Sequence, residues 1–90
     1  MTIVTIAEDY IEISGHAPEK VVCHGISAVS QMTANYLQKC KNADITRKDG
    51  HLKMEHITQN DSSIFLLEAY IDALKDIQSE YPGNMIINFV

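Results

Sequence analysis

The first residues of the chain alternate in short, β-branched runs. Thr2 to Ile6 is one run, and in Tyr10 to Ser14 the apolar Ile11 and Ile13 interleave with Tyr10, Glu12 and Ser14. This pattern predicts two strands joined by a turn at Ala7 to Asp9. From about Val22 the period changes to that of a helix. Apolar residues recur as Val22, Ile26, Val29, Met32 or Thr33, Tyr36 or Leu37, and Cys40, and the pattern ends near Lys41 and Asn42. Ala43 to Lys48 and His51 to Ile57 flank Asp49-Gly50, a dipeptide that favours the positive φ values of a two-residue hairpin turn, and so predict a third and fourth strand. Asn60, Asp61, Ser62 and Ser63 are residues suited to a helix start. They open a second helix with Ile64, Leu67, Ile71, Leu74, Ile77 and Tyr81 on one face, stopped by Pro82-Gly83. Met85 to Val90 is apolar and predicts a last strand.

The order ββαββαβ, with one-sided helices and strands, predicts an α+β two-layer sandwich in which both helices pack on one face of a mainly antiparallel sheet. No linker or repeat interrupts it, so residues 1–90 are expected to form one domain. Composition agrees with a packed core: 46% of the 90 residues are apolar and 21% charged, far from the regime of disordered chains. A chain this short buries roughly 60–65% of its extended surface, so pairing of two copies is an economical way to add buried area. A homodimer is expected.

Charge narrows the partners. Seven basic against twelve acidic side chains leave a net charge of -5. Outside Lys39, Lys41, Arg47 and Lys48 the basic residues are scattered, which disfavours nucleic acid as a ligand. No run approaches the roughly 20 apolar residues needed to cross a bilayer, so no membrane partner is expected and the chain reads as cytoplasmic. Cys23 and Cys40 fall on one predicted helix roughly 25 Å apart, too far to bridge.

Candidate chemistry gathers at the junction of the second strand and first helix. Gly15-His16-Ala17 ends the strand and Val22-Cys23 begins the helix, so an imidazole and a thiol meet across a short loop. The positive end of a helix and its unpaired N–H groups favour a thiolate, a nearby imidazole can take the proton, and the same N–H groups could hold an oxyanion. The competing reading is a packing thiol, because free cysteine is among the most buried residue types. Metal binding by His16, Cys23 and His24 lacks further ligands at recognised spacing, and no cofactor is expected. His51, Glu55 and His56 read as a solvated strand face, where Glu55 and His56 point to opposite sides. Ser27 lies one helical turn beyond Cys23 and can support the thiol or simply permit close packing.

Gly15-His16-Ala17 and Val22-Cys23-His24-Gly25-Ile26-Ser27-Ala28 resemble the two signature segments of the bacterial ribosomal-processing cysteine proteases, Gly-His-Ala and Val-Cys-Ala-Gly-Val-Ser-Ala. The resemblance continues through Asp49-Gly50, Leu66-Leu67-Glu68-Ala69, Leu74-Lys75, Ile77 and Tyr81-Pro82. It implies a homodimeric α+β cysteine endopeptidase that removes an N-terminal extension from a large-subunit ribosomal protein by cutting after an apolar segment. It further implies Cys23 as nucleophile and His16 as base; beside them, Gly15 and Ser27 are the candidate supporting residues. The chain departs from the family pattern in a shorter loop, Ala17 to Val22, in Lys20 where an acidic residue is usual, and in His24 where a small one is usual. Pro18 followed by Glu19 also reads as a helix start, which would leave Cys23 inside the second turn and without most of the N-terminal N–H groups. Two functions remain open on these residues. One is an endopeptidase acting on the extended apolar tail of a protein substrate; the other is a catalytically impaired homologue that binds a peptide or protein through the same groove.

Overall fold

A computed structural model describes all 90 residues. The elements run β1 (Thr2–Ile6), β2 (Ile11–Ser14), α1 (Lys20–Lys39), β3 (Asp44–Lys48), β4 (His51–Glu55), α2 (Asp61–Glu80) and β5 (Met85–Phe89). The strands form one sheet in the order β3-β4-β2-β1-β5, antiparallel throughout except where β5 returns parallel to β1. The α+β order read from periodicity is therefore the observed one, with strand ends trimmed: β2 starts at Ile11, and β4 stops at Glu55 because His56 takes a φ of 53° that no ladder accommodates.

The core lies between the sheet and the helices. Val4, Ile11, Ile13, Leu52 and Met54 point into it from the strands, Val22, Ile26, Ala34 and Leu37 from α1, and Tyr70 and Leu74 from α2. Each fully buried leucine contributes on the order of 1.5–3 kcal/mol of burial. Thr33 and Leu37, not Met32 and Tyr36, occupy the inner face of α1. The inner face of α2 is the expected one from Leu67 onward, with Leu74 buried and Leu67, Ile71, Ile77 and Tyr81 packed against the core; its first turn departs, because Ser63 is buried and Ile64 exposed, and Tyr70 joins the buried set. Tyr70 sits inward because its hydroxyl finds a partner there, Ser30 Oγ at 2.6 Å. Burial pushes the Tyr70 phenol up to about 12, which the Ser30 hydrogen bond only partly offsets.

Helix ends are satisfied by local and distant groups. Asn60 caps α2 by accepting from Ser63 N–H at 3.0 Å. At the end of α1, Lys41 N–H donates to the Gln38 carbonyl and Asn42 N–H to the Leu37 carbonyl. This double closure places Lys41 at φ 57°, a position that favours glycine. Arg47 of β3 fastens the strand to α1 through Gln31, Asn35 and Gln38, with Arg47–Asn35 at 2.5 Å the shortest of the three.

Candidate active site

β2 ends at Gly15, whose φ is +83° and where a Cβ would strike the Met1 carbonyl. Only glycine lets the chain leave the sheet at this angle, and the next residue is His16. Its carbonyl accepts from the Met1 nitrogen at 2.7 Å, and Gly15 N–H donates to the Gly50 carbonyl at 2.9 Å. The His16 ring rests against the turn between β3 and β4, where a Cβ on Gly50 would stand 3.0 Å from Nε2. Gly50 carries a φ of +68°, while Asp49 does not enter the left-handed region, so only one of the two turn residues has the positive φ expected of that dipeptide.

The opposing thiol comes from α1. The helix begins at Lys20, one turn ahead of Cys23, which is the early start that Pro18-Glu19 offers and not the one at about Val22 that the periodicity suggests. Pro18 restricts the chain just before it, and Glu19 N–H is already accepted by Asn84 Oδ1 at 3.0 Å, so the first turn closes early. Cys23 N–H consequently donates to the Glu19 carbonyl at 3.0 Å and is spent within the helix. The expectation that free amides stand beside Cys23 is thus corrected: those without an intrahelical acceptor belong to Lys20, Val21 and Val22. Helical side chains lean toward the N-terminus, which carries the sulfur back over that turn.

Cys23 is half-buried, His16 exposed, and Cys23 Sγ lies 3.8 Å from His16 Nδ1. This is the long end of a sulfur hydrogen bond, a separation usual for a nucleophile and base with no substrate between them. The pair sits in a cleft of about 270 Å³ bounded by α1 on one side and the β3–β4 turn on the other. Ile13, Ile26 and Leu52 are its apolar lining; His24, Ser27, Gln31 and Lys48 contribute polar walls. Ser27 is exposed and forms no hydrogen bond to Cys23. Gly15 lines the cleft beside His16.

No carboxylate reaches His16, so the geometry is that of a dyad. Glu12 instead bonds His51 Nε2 at 2.7 Å, and Glu19 Oε2 accepts from Asn84 Nδ2 at 2.6 Å. His56, beyond the end of β4, is held by Asp44 at 2.8 Å, and this hydrogen bond raises its pKa above the usual imidazole value. Of the trio His51, Glu55 and His56, only His51 borders the cleft. No group of three or more His, Cys, Asp or Glu side chains converges on a metal position, and both cysteines are free. Asn84, buried at 3% exposure, was not singled out by periodicity, because Pro82-Gly83 beside it reads only as a helix stop.

The family model of the cysteine protease Prp matches residues 1–86. The chain belongs to this cysteine protease family. Among solved structures, the Prp-family chain is similar to the essential ribosomal processing protease Prp from S. aureus with a covalently linked product peptide, at 28% identity and a TM-score of 0.87, with both chains covered in full. It is equally similar in fold to that protease with a substrate peptide, at 25% identity, TM-score 0.87 and full coverage of both chains. A hypothetical protein from Staphylococcus aureus, 24% identical over the whole of both chains at a TM-score of 0.80, shares the fold. No curated protein sequence matches the chain. No helix of this Prp-family member is long and apolar enough to cross a membrane.

Proposed function

We propose that this Prp-family chain is a cysteine endopeptidase that removes an N-terminal extension from a protein substrate, by family likeness a large-subunit ribosomal protein, with Cys23 as nucleophile and His16 as general base. The observation that carries the reading is the 3.8 Å approach of Cys23 Sγ to His16 Nδ1 inside an open cleft. His16 takes the thiol proton, the sulfur adds to the scissile carbonyl, and the oxyanion forms beside the start of α1, where the amides of Lys20, Val21 and Val22 have no intrahelical acceptor. The His16 imidazolium then protonates the departing amine, leaving a thioester on Cys23 that water, activated by the same imidazole, hydrolyses. An extended tail suits the cleft, with bulky apolar side chains before the cut meeting Ile13, Ile26 and Leu52. The 90 residues act as one cysteine-protease-like domain that works as a homodimer, an assembly that would cover some of the exposed Met32, Tyr36, Ile64 and Phe65.

The test incubates candidate extended tails with wild-type protein and with Cys23→Ala and follows them by mass spectrometry. Cleavage by the wild type alone, after an apolar residue, is the expected result; no cleavage and no thioester adduct refute it. One observation favours the second reading, a peptide-binding homologue without turnover: Cys23 N–H is committed to Glu19. That reading predicts equal peptide binding by wild type and Cys23→Ala with no product from either.

A further inference from the structure

The cysteine-bearing helix is fixed at its start by a residue from the far end of the chain. Glu19 is the residue that caps α1, yet its side chain makes no capping hydrogen bond. Asn84 does the work from between α2 and β5. Its Oδ1 accepts from Glu19 N–H at 3.0 Å, and its Nδ2 donates to Glu19 Oε2 at 2.6 Å and to the Tyr81 carbonyl at 3.2 Å. Its own carbonyl accepts from Thr2 N–H at 3.1 Å, so the side chain that holds α1 is itself anchored on β1. Such a buried amide, with both donors and its acceptor engaged, holds one geometry.

The two reacting side chains are referred to the same place. His16 is held by the Met1 nitrogen, one residue before Thr2, and Cys23 N–H is bonded to the Glu19 carbonyl, whose residue Asn84 ties to Thr2. The connecting residues Pro18, Glu19 and Lys20 are exposed and supply little packing of their own. We infer that Asn84 is a positioning residue that sets the distance between Cys23 and His16 by clamping Glu19 at the start of α1. The inference rests on the proposed roles of Cys23 and His16.

Alkylation by iodoacetamide, resolved site by site by mass spectrometry, reads this without a substrate. Cys40, exposed at the opposite end of α1, is the internal reference. Asn84→Asp sets a carboxylate against Glu19 and slows Cys23 alkylation about tenfold, a loss typical of misplacement below 1 Å, while Cys40 and the circular dichroism spectrum are unchanged. Adding Glu19→Gln restores an amide–carboxylate pair of reversed sense, and the double variant returns to within about threefold of wild type. A merely structural asparagine would show no such selective loss and rescue. Glu19→Ala, at an exposed position, removes one arm of the clamp and keeps the question answerable if Asn84→Asp fails to fold; it slows Cys23 alone by about threefold. Folded Asn84→Asp or Glu19→Ala protein that labels Cys23 as fast as wild type overturns the role of Asn84, as does failure of the double variant to recover. Wild-type protein in which Cys23 labels no faster than Cys40 overturns the proposed function and this inference together.

Discussion

Gly50→Ala tests the site at the turn against which the His16 ring rests. The substitution has two separable consequences. With φ at +68°, an L side chain carries a left-handed penalty of about 1–2 kcal/mol, which in a domain of this size lowers Tm by roughly 5–15 °C. The added methyl also stands 3.0 Å from His16 Nε2 and 3.6–3.7 Å from the two flanking ring carbons, so it meets the ring edge-on at that nitrogen. When His16 accepts the thiol proton at Nδ1 it carries N–H on both nitrogens, and the methyl leaves the Nε2 N–H without a partner. A hydrogen bond to a charged group is worth about 1.5–3 kcal/mol, and at this exposed ring the lower figure applies. Iodoacetamide alkylation of Cys23 should therefore slow about tenfold at a temperature where the variant is folded. Gly50→Asn separates the two effects, since asparagine tolerates the left-handed region but carries the same Cβ. The expected pattern is a Tm partly regained in Gly50→Asn with Cys23 alkylation no faster than in Gly50→Ala. Recovery of rate in step with Tm, or wild-type rates in folded Gly50→Ala, would refute the argument that space beside Nε2 matters.

Three further outcomes follow from other positions. Lys41→Gly should raise Tm, because Lys41 holds φ 57° in the closure of α1 and glycine relieves about 1 kcal/mol there; calorimetry giving an unchanged or lower Tm would contradict it. His56 should titrate above 6.5 by NMR, and Asp44→Asn, which removes the hydrogen bond chiefly responsible, should bring it back down. Since the folded value is the raised one, whatever stability the pair contributes is present below about pH 6.5 and lost as pH rises through the folded value, so an Asp44→Asn effect confined to alkaline pH would reverse the sign. Sedimentation should show a species of twice the 10.1 kDa chain at micromolar concentration, with monomer alone disproving the dimer.

Much of the architecture was legible in local periodicity. The five strands, the two helices and their order are set by short-range alternation and 3.6-residue spacing, which depend on near neighbours. His16 and Cys23 were equally legible, because a strand end and a helix start separated by a short loop must lie close together, and the structure brings them to 3.8 Å. Periodicity was less informative where two helical faces compete. It left Met32 against Thr33 and Tyr36 against Leu37 undecided and favoured Ile64 over Ser63 and Tyr70: the Tyr70 hydroxyl meets its partner, Ser30, on the other helix, and Ser63 turns inward where its N–H closes the Asn60 cap. The start of α1 was only half legible: Pro18-Glu19 offers the early start that the structure adopts, beside the later one that periodicity suggests. Glu19 is a poor cap by type, and the group that satisfies its amide, Asn84, lies 65 residues away. The same holds for the wall of the cleft: Gly50 meets His16 only because the β3–β4 hairpin pairs β4 with β2 in a register that places Ser14 opposite His51. Elements and their order thus follow from contacts within a few residues. The seating of the thiol, the space beside the imidazole and the amides left free arise from hydrogen bonds between distant segments, which exist only once the sheet has closed.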